Sequence, residues 1–208
     1  TARSRLRFVD ADLAALMGGA PASLSGRLTA TIEVEGAGRS PIALIGALKG
    51  GGAFTLQDGA IRRLDPGAFD AAIRSVDQGL AIDPARIGDR MEQALAAGAL
   101  TIALAEGEFA VADGQARLAN TMVRAQGADL AVSGRIVLAE ESIDARLILS
   151  GPARDDAPAG ARPAIAVLLK GSADAPKRTL DVATFSNWLA LRAVERQSKR
   201  IDALESGR

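Results

Sequence analysis

Phe54-Thr-Leu56-Gln-Asp58-Gly59 and Phe109-Ala-Val111-Ala-Asp113-Gly114 repeat one pattern, an alternation of apolar with small or polar residues that stops at Asp-Gly. Asp-Gly readily takes the positive φ angles of a two-residue hairpin turn, so both copies read as strands running into tight turns of one antiparallel sheet. A second echo, Leu24-Ser-Gly26-Arg27-Leu28 against Val132-Ser-Gly134-Arg135-Ile136, links an early strand region to a late one and suggests internal repetition.

Working outward, Leu28, Ala30, Ile32 and Val34 share one parity, while Arg27, Thr29, Thr31, Glu33 and Glu35 share the other. That is a strand wet on one side. After Gly36-Ala-Gly-Arg-Ser-Pro41, a long run sets Leu44, Leu48, Phe54 and Leu56 on one face with Gly46, Gly50 and Gly52 between them. Glycines inside a strand pattern indicate a bulge, a bend or a close backbone approach.

The period then becomes helical. Asp65-Pro66 and Asp83-Pro84 are each a cap followed by proline in the first turn, and they open helices expected over 66–79 and 84–97. Phe69, Ile73, Val76 and Leu80 form one stripe and Ile87, Met91 and Leu95 another. Strand patterns resume at 100–104, 108–112, 115–124, 128–139 and 142–150, and their close turns imply an antiparallel meander. Residues 151–163, rich in proline, glycine and charge, read as a mobile loop. A strand at 164–170 and an extended stretch at 178–182 precede a helix over 182–205, capped by Asp181. The expected fold is therefore α+β and mainly β: a curved antiparallel meander with an inserted helical pair and a long C-terminal helix, in one domain over 1–208 with a lead-in over 1–23.

Composition narrows the chemistry. The chain of 208 residues is 48% hydrophobic, has no cysteine and no histidine, and balances 25 basic against 25 acidic residues. Without histidine or cysteine, a Ser-His-Asp hydrolase and a histidine- or thiolate-ligated zinc enzyme are both excluded within it. Charge balance removes the global field that draws in nucleic acid. No run reaches the roughly 18 to 20 apolar residues that span a bilayer. A chain beginning at Thr1 without a leader pattern reads as a fragment of a longer protein.

Gly46-Ala-Leu-Lys49-Gly50-Gly51-Gly52 superficially suggests a phosphate loop, but the lysine precedes the glycines and a strand, not a helix, follows. Asp155-Asp156, Glu140-Glu141 and Glu106 with Glu108 are ordinary solvated carboxylates without calcium-loop spacing. Arg192, Arg196, Lys199 and Arg200 on the last helix are candidates for contact with a partner protein or anionic headgroups. About eight or nine strand patterns against three helical ones leave apolar strand faces to cover. Leu44, Leu48, Phe54, Leu130, Val132 and Ile136 are the candidates for an open lipid groove. No metal site and no cofactor are expected.

Gly46-Ala-Leu-Lys-Gly50-Gly-Gly-Ala-Phe54-Thr-Leu-Gln-Asp58-Gly59-Ala-Ile61, then Leu64-Asp65 and a helix, resembles the C-terminal region of AsmA-like proteins. The later order agrees: Phe109 to Gly114, the strand with Gly134, Val167-Leu-Leu-Lys-Gly171, Ala175-Pro176, and Thr179-Leu-Asp181 opening a tryptophan-containing helix. The resemblance runs from about Leu24 onward and carries no catalytic residues. It implies a non-enzymatic periplasmic module of an envelope protein anchored in the inner membrane through a segment outside this fragment. Such proteins support outer-membrane assembly or conduct phospholipid between membranes along β-sheet grooves, so phospholipid or envelope proteins are the implied partners. A scaffold domain acting through its C-terminal helix is the other reading of the residues.

Overall fold

The structure, a computed structural model, describes residues 2–17, 23–157 and 160–206. Among them nine strands form one antiparallel sheet whose spatial order is the chain order. They are β1 (Ala2–Asp12), β2 (Leu24–Gly36), β3 (Lys49–Arg62), β4 (Ala99–Ala112), β5 (Gln115–Ala125), β6 (Ala128–Val137), β7 (Ser142–Ser150), β8 (Ala164–Ser172) and β9 (Lys177–Asp181). The helices are α1 (Leu13–Leu16), α2 (Pro41–Gly46), α3 (Ala68–Asp77), α4 (Pro84–Leu95) and α5 (Ala183–Ser206). The mainly β meander with an inserted helical pair and a long final helix is thus the observed fold.

The start signals work as chemistry requires. The Asp83 carboxylate accepts from the N–H groups of Ala85 and Arg86, both at 3.1 Å, with Pro84 inside the first turn. Asp65 Oδ1 accepts from Gly67 N at 2.8 Å and shapes the turn ahead of α3. Asp181 accepts from Ala183 N at 3.0 Å at the start of α5. The Asp83 and Asp181 bonds each satisfy a backbone donor that a helix start leaves free, whereas α3 begins at Ala68 behind Gly67 with no side-chain cap, so Asp65-Pro66 is not the cap and first turn expected of it.

Four expectations need correction. The 1–23 lead-in contains a strand, β1, paired with β2 from Ala2↔Gly36 to Asp12↔Arg27 with a bulge between Phe8 and Ala11. Residues 41–46 are helical, because Ser40 Oγ accepts from Ala43 N at 3.2 Å and Pro41 fills the first turn. Residues 100–104 and 108–112 belong to one continuous strand, β4. Asp113-Gly114 is the expected β4–β5 turn, with φ of 50° and 68°, whereas Asp58-Gly59 lies inside β3. There Asp58, at φ 49°, and Gly59 face the single residue Gly26 of β2, so the chain bulges instead of reversing. The two copies share an aspartate in the left-handed region and not a repeated hairpin.

The core lies between one face of the sheet and a layer made of α3, α4 and the first half of α5. Phe69, Ile73, Ile87, Met91 and Leu95 from the helical pair meet Leu100, Ile102, Leu130, Leu149, Ile165 and Val167 from the strands. Phe185 of α5 packs edge-on to Phe69 at 5.4 Å and stacks against Trp188 at 5.9 Å. The Trp188 indole N–H donates to the Ala161 carbonyl at 3.2 Å, which gives this buried ring its polar partner. All the strand residues of this core come from the same end of the sheet.

Candidate functional site: an open apolar trough

Along β6 the residues Leu130, Val132, Gly134 and Ile136 point to one face, and burial falls steadily along them. Leu130 is fully buried under the helices, Val132 is partly buried against the core, and Ile136 is 37% exposed. Neighbouring strands follow the same gradient because their registers lock the rows together: Leu149 lies beside Leu130, Leu147 beside Val132, Ala145 beside Gly134 and Ile143 beside Ile136. The apolar face therefore continues beyond the helix layer and opens into a trough of about 350 Å³.

Phe54, Val132 and Ile136, three of the six residues expected in a groove, line this trough. Phe109, Leu118, Ala116, Ile143 and Ala145 complete its apolar wall, and Arg117, Ser133 and Arg135 border it. Leu130 does not; it sits in the sealed core, one inward position along β6. Leu44 and Leu48 also fall outside, since Leu44 belongs to α2 and Leu48 follows it, with its Cδ2 beside Gly36. The overlooked wall residues carry a signal in the sequence: Ala116 with Leu118 and Ile143 with Ala145 keep the period of two that places them beside Ile136 and Gly134.

The wall is built on a reciprocal exchange between β3 and β4. Gly52 pairs with Phe109 and Phe54 with Gly107, so each ring covers the glycine opposite. A Cβ added at Gly52 would meet the Thr31 carbonyl oxygen of β2 and lie 2.7 Å from Phe109 Cζ, and one at Gly107 would lie 2.7 Å from Phe54 Cζ. The glycines thus make room for the rings. Space over Gly52 is filled by Phe109, Gly50 is closed by the β2 backbone and Gly46 is in α2, so these three positions do not form a channel for an acyl chain. Pairing of β4 with β5 extends only from Phe109↔Leu118 to Ala112↔Gln115 beside the turn. The next backbone bond, from Gln126 N to Thr101 O at 3.0 Å, lies far down the strands.

The second group of candidates behaves differently. Arg192 is only 4% exposed and is clamped by two carboxylates, at 2.8 Å from Asp77 and 2.5 Å from Asp156. Arg196 also pairs with Asp77, so these two arginines fasten α5 to α3 and to the 151–157 segment. Hydrogen bonds from Arg192 hold the Asp77 and Asp156 carboxyls below their usual range against the opposing effect of burial. The two carboxylates in turn raise Arg192, which stays charged. Lys199 and Arg200 remain exposed. Beyond Leu189 the helix turns an apolar stripe outward, with Val194 at 66% and Ile201 at 50% exposure.

The segment read as a mobile loop, 151–163, is described except for 158 and 159. Its described part carries Arg154, paired with Asp70 and Asp156, and Arg162, which donates to the Ser150 and Gly151 carbonyls and to Asp129. Ala157 and Pro163 are buried. Lys49, in the stretch that superficially suggests a phosphate loop, pairs with Glu35 at 3.3 Å and opens a strand. Among the described residues no group of three or more acidic, histidine or cysteine side chains is placed to hold a metal ion. No helix among them is long and apolar enough to cross a membrane. Comparison of the chain with protein-family models, with curated proteins and with solved structures finds no match.

Proposed function

We propose that the chain is a non-enzymatic lipid-handling module of a bacterial envelope protein of AsmA-like kind, periplasmic and held at the inner membrane in the full-length protein. The observation that carries this reading is the trough, an almost wholly apolar opening that continues a sealed core without a step. A methylene occupies roughly the volume of a water molecule, about 30 Å³, so the trough suits roughly a dozen carbons of one acyl chain. Each methylene moved out of water contributes about 0.8 kcal/mol. A photoreactive side chain at Ile136 or Ile143 of the full-length protein is expected to crosslink to phospholipid in cells, whereas one at Thr31, on the polar face of β2, is not. Equal labelling at all three positions would refute the reading.

The exposed apolar stripe of α5 supports a second reading, a scaffold that binds a partner protein through this helix. In that case crosslinks concentrate at Val194 and Ile201, on protein, and Ile136 gives none.

A further inference from the structure

The face of the sheet opposite the trough carries a row of four charged side chains across β5 to β8. Arg117 pairs with Arg135, Arg135 with Asp144, and Asp144 with Lys170. Two arginines directly opposite each other repel, an arrangement that antiparallel pairs normally avoid. The neighbours cancel it only in part. Asp144 lies 3.5 Å from Arg135 and is shared with Lys170 at 4.0 Å, and the Arg117 guanidinium donates only to the neutral Gln115 Oε1, at 2.9 Å. Arg146 stands two residues along from Asp144, opposite Ser133, and adds a further cation on the same face. Among the described residues Arg117 and Arg146 have no carboxylate within ion-pair distance. Glu108 and Asp144 stand on this face too, so the three arginines leave a net charge of +1 around the opening they share.

Arg117, Arg135, Asp144 and Arg146 line a cavity of about 780 Å³ together with Ser133, Glu108 and, from the trough, Phe109 and Leu118. We infer that Arg117, Arg135, Arg146 and Ser133 bind an oxyanion of the phosphate class. Guanidinium groups present paired donors that match phosphate oxygens, and the serine hydroxyl supplies another donor. A bound dianion removes the repulsion between Arg117 and Arg135, so a local cost to the fold becomes affinity for the ligand. Departures from local rules of this kind concentrate at functional sites. Alternation along β5 and β6 puts Arg117 and Arg135 on the face opposite Leu118 and Ile136, yet Phe109, Leu118, Arg117 and Arg135 line both openings, so the anion site adjoins the trough.

Titration of the protein with inorganic phosphate, at ionic strength held constant with sodium chloride, tests the inference. Expected are saturable amide shifts around Arg117, Arg135 and Arg146 and a rise in melting temperature. Arg117→Gln is expected to melt slightly higher than the parent without phosphate, to bind phosphate about tenfold or more weakly, and to lose the phosphate-dependent rise. Arg39→Gln, on the exposed connection before α2, serves as the control and keeps the parent's response. Vesicles of phosphatidylglycerol in phosphatidylcholine separate the sources: capture that Arg117→Gln abolishes identifies a lipid headgroup, and a response to free phosphate alone identifies a soluble ligand. An equal rise with chloride, an undiminished response in Arg117→Gln, or no response to phosphate and vesicles overturns the site.

Discussion

Phe54 and Phe109 occupy the space that side chains at Gly107 and Gly52 would need, and this exchange explains the glycines better than any phosphate or acyl chain. Gly52→Val and Gly107→Val are each expected to cost about 1–3 kcal/mol in urea denaturation, since the ring opposite must leave its position and, at Gly52, the Thr31 carbonyl of β2 must also give way. Gly46→Ala, where nothing lies within 4 Å of an added Cβ, is expected to be neutral or mildly stabilising because it sits in a helix. The sequence shows that Asp58 and Asp113 are suited to positive φ, but the same dihedral serves a turn or a bulge. Which one forms depends on the opposing strand: Asp58 and Gly59 have Gly26 of β2 across from them, whereas Asp113-Gly114 joins two strands that pair with each other. That information is not local, so reading the residues alone makes both of them turns.

At the level of elements, the aspartate of Asp65-Pro66 shapes a turn and α3 starts two residues later, while the Asp83-Pro84 start of α4 is legible because a cap and a proline act within one turn. Ser40-Pro41 is the same kind of signal; the apolar and glycine alternation after it hides α2 behind a strand pattern. β1 is also written in the sequence, with Arg3, Arg5 and Arg7 alternating against Leu6 and Phe8. What no periodicity reveals is that Arg192 is buried, since its partners Asp77 and Asp156 lie far away in the chain. Arg192→Ala is expected to cost about 1–3 kcal/mol, below the loss for a fully buried pair because both carboxylates are partly solvated, and to speed tryptic cleavage within 151–163. The acid dependence has a definite sign. Asp77 and Asp156 have lower pKa values folded than unfolded, so their contribution is complete above the ordinary aspartate value and is lost as pH falls through the depressed folded values. Acid unfolding followed by circular dichroism is expected to begin below about pH 4, and Arg192→Ala is expected to flatten that limb.

For the whole molecule, one apolar sheet face serves two purposes, core where the helices cover it and trough where they do not. Ile73→Asp, at a site 2% exposed, is expected to destabilise by roughly several kcal/mol because it buries an unpaired charge. Ile136→Asp, at 37% exposure, is expected to change the melting midpoint little and to abolish lipid crosslinking from Ile143. The contrast separates a structural apolar residue from a functional one. The meander was readable because each strand pairs with its sequence neighbour, while the boundary between core and trough is set by how far α3, α4 and α5 together cover the sheet, and α5 follows every strand in the chain. That order matters during synthesis. As the chain emerges, each new strand finds the exposed edge of the one before it, so the sheet can grow in step with translation. The pair α3 and α4 arrives early, but Phe69 meets Phe185 only when α5 is out. Until then the greasy half of the sheet has no complete cover, and the final helix acts as the closure that ends the nascent chain's exposure to aggregation.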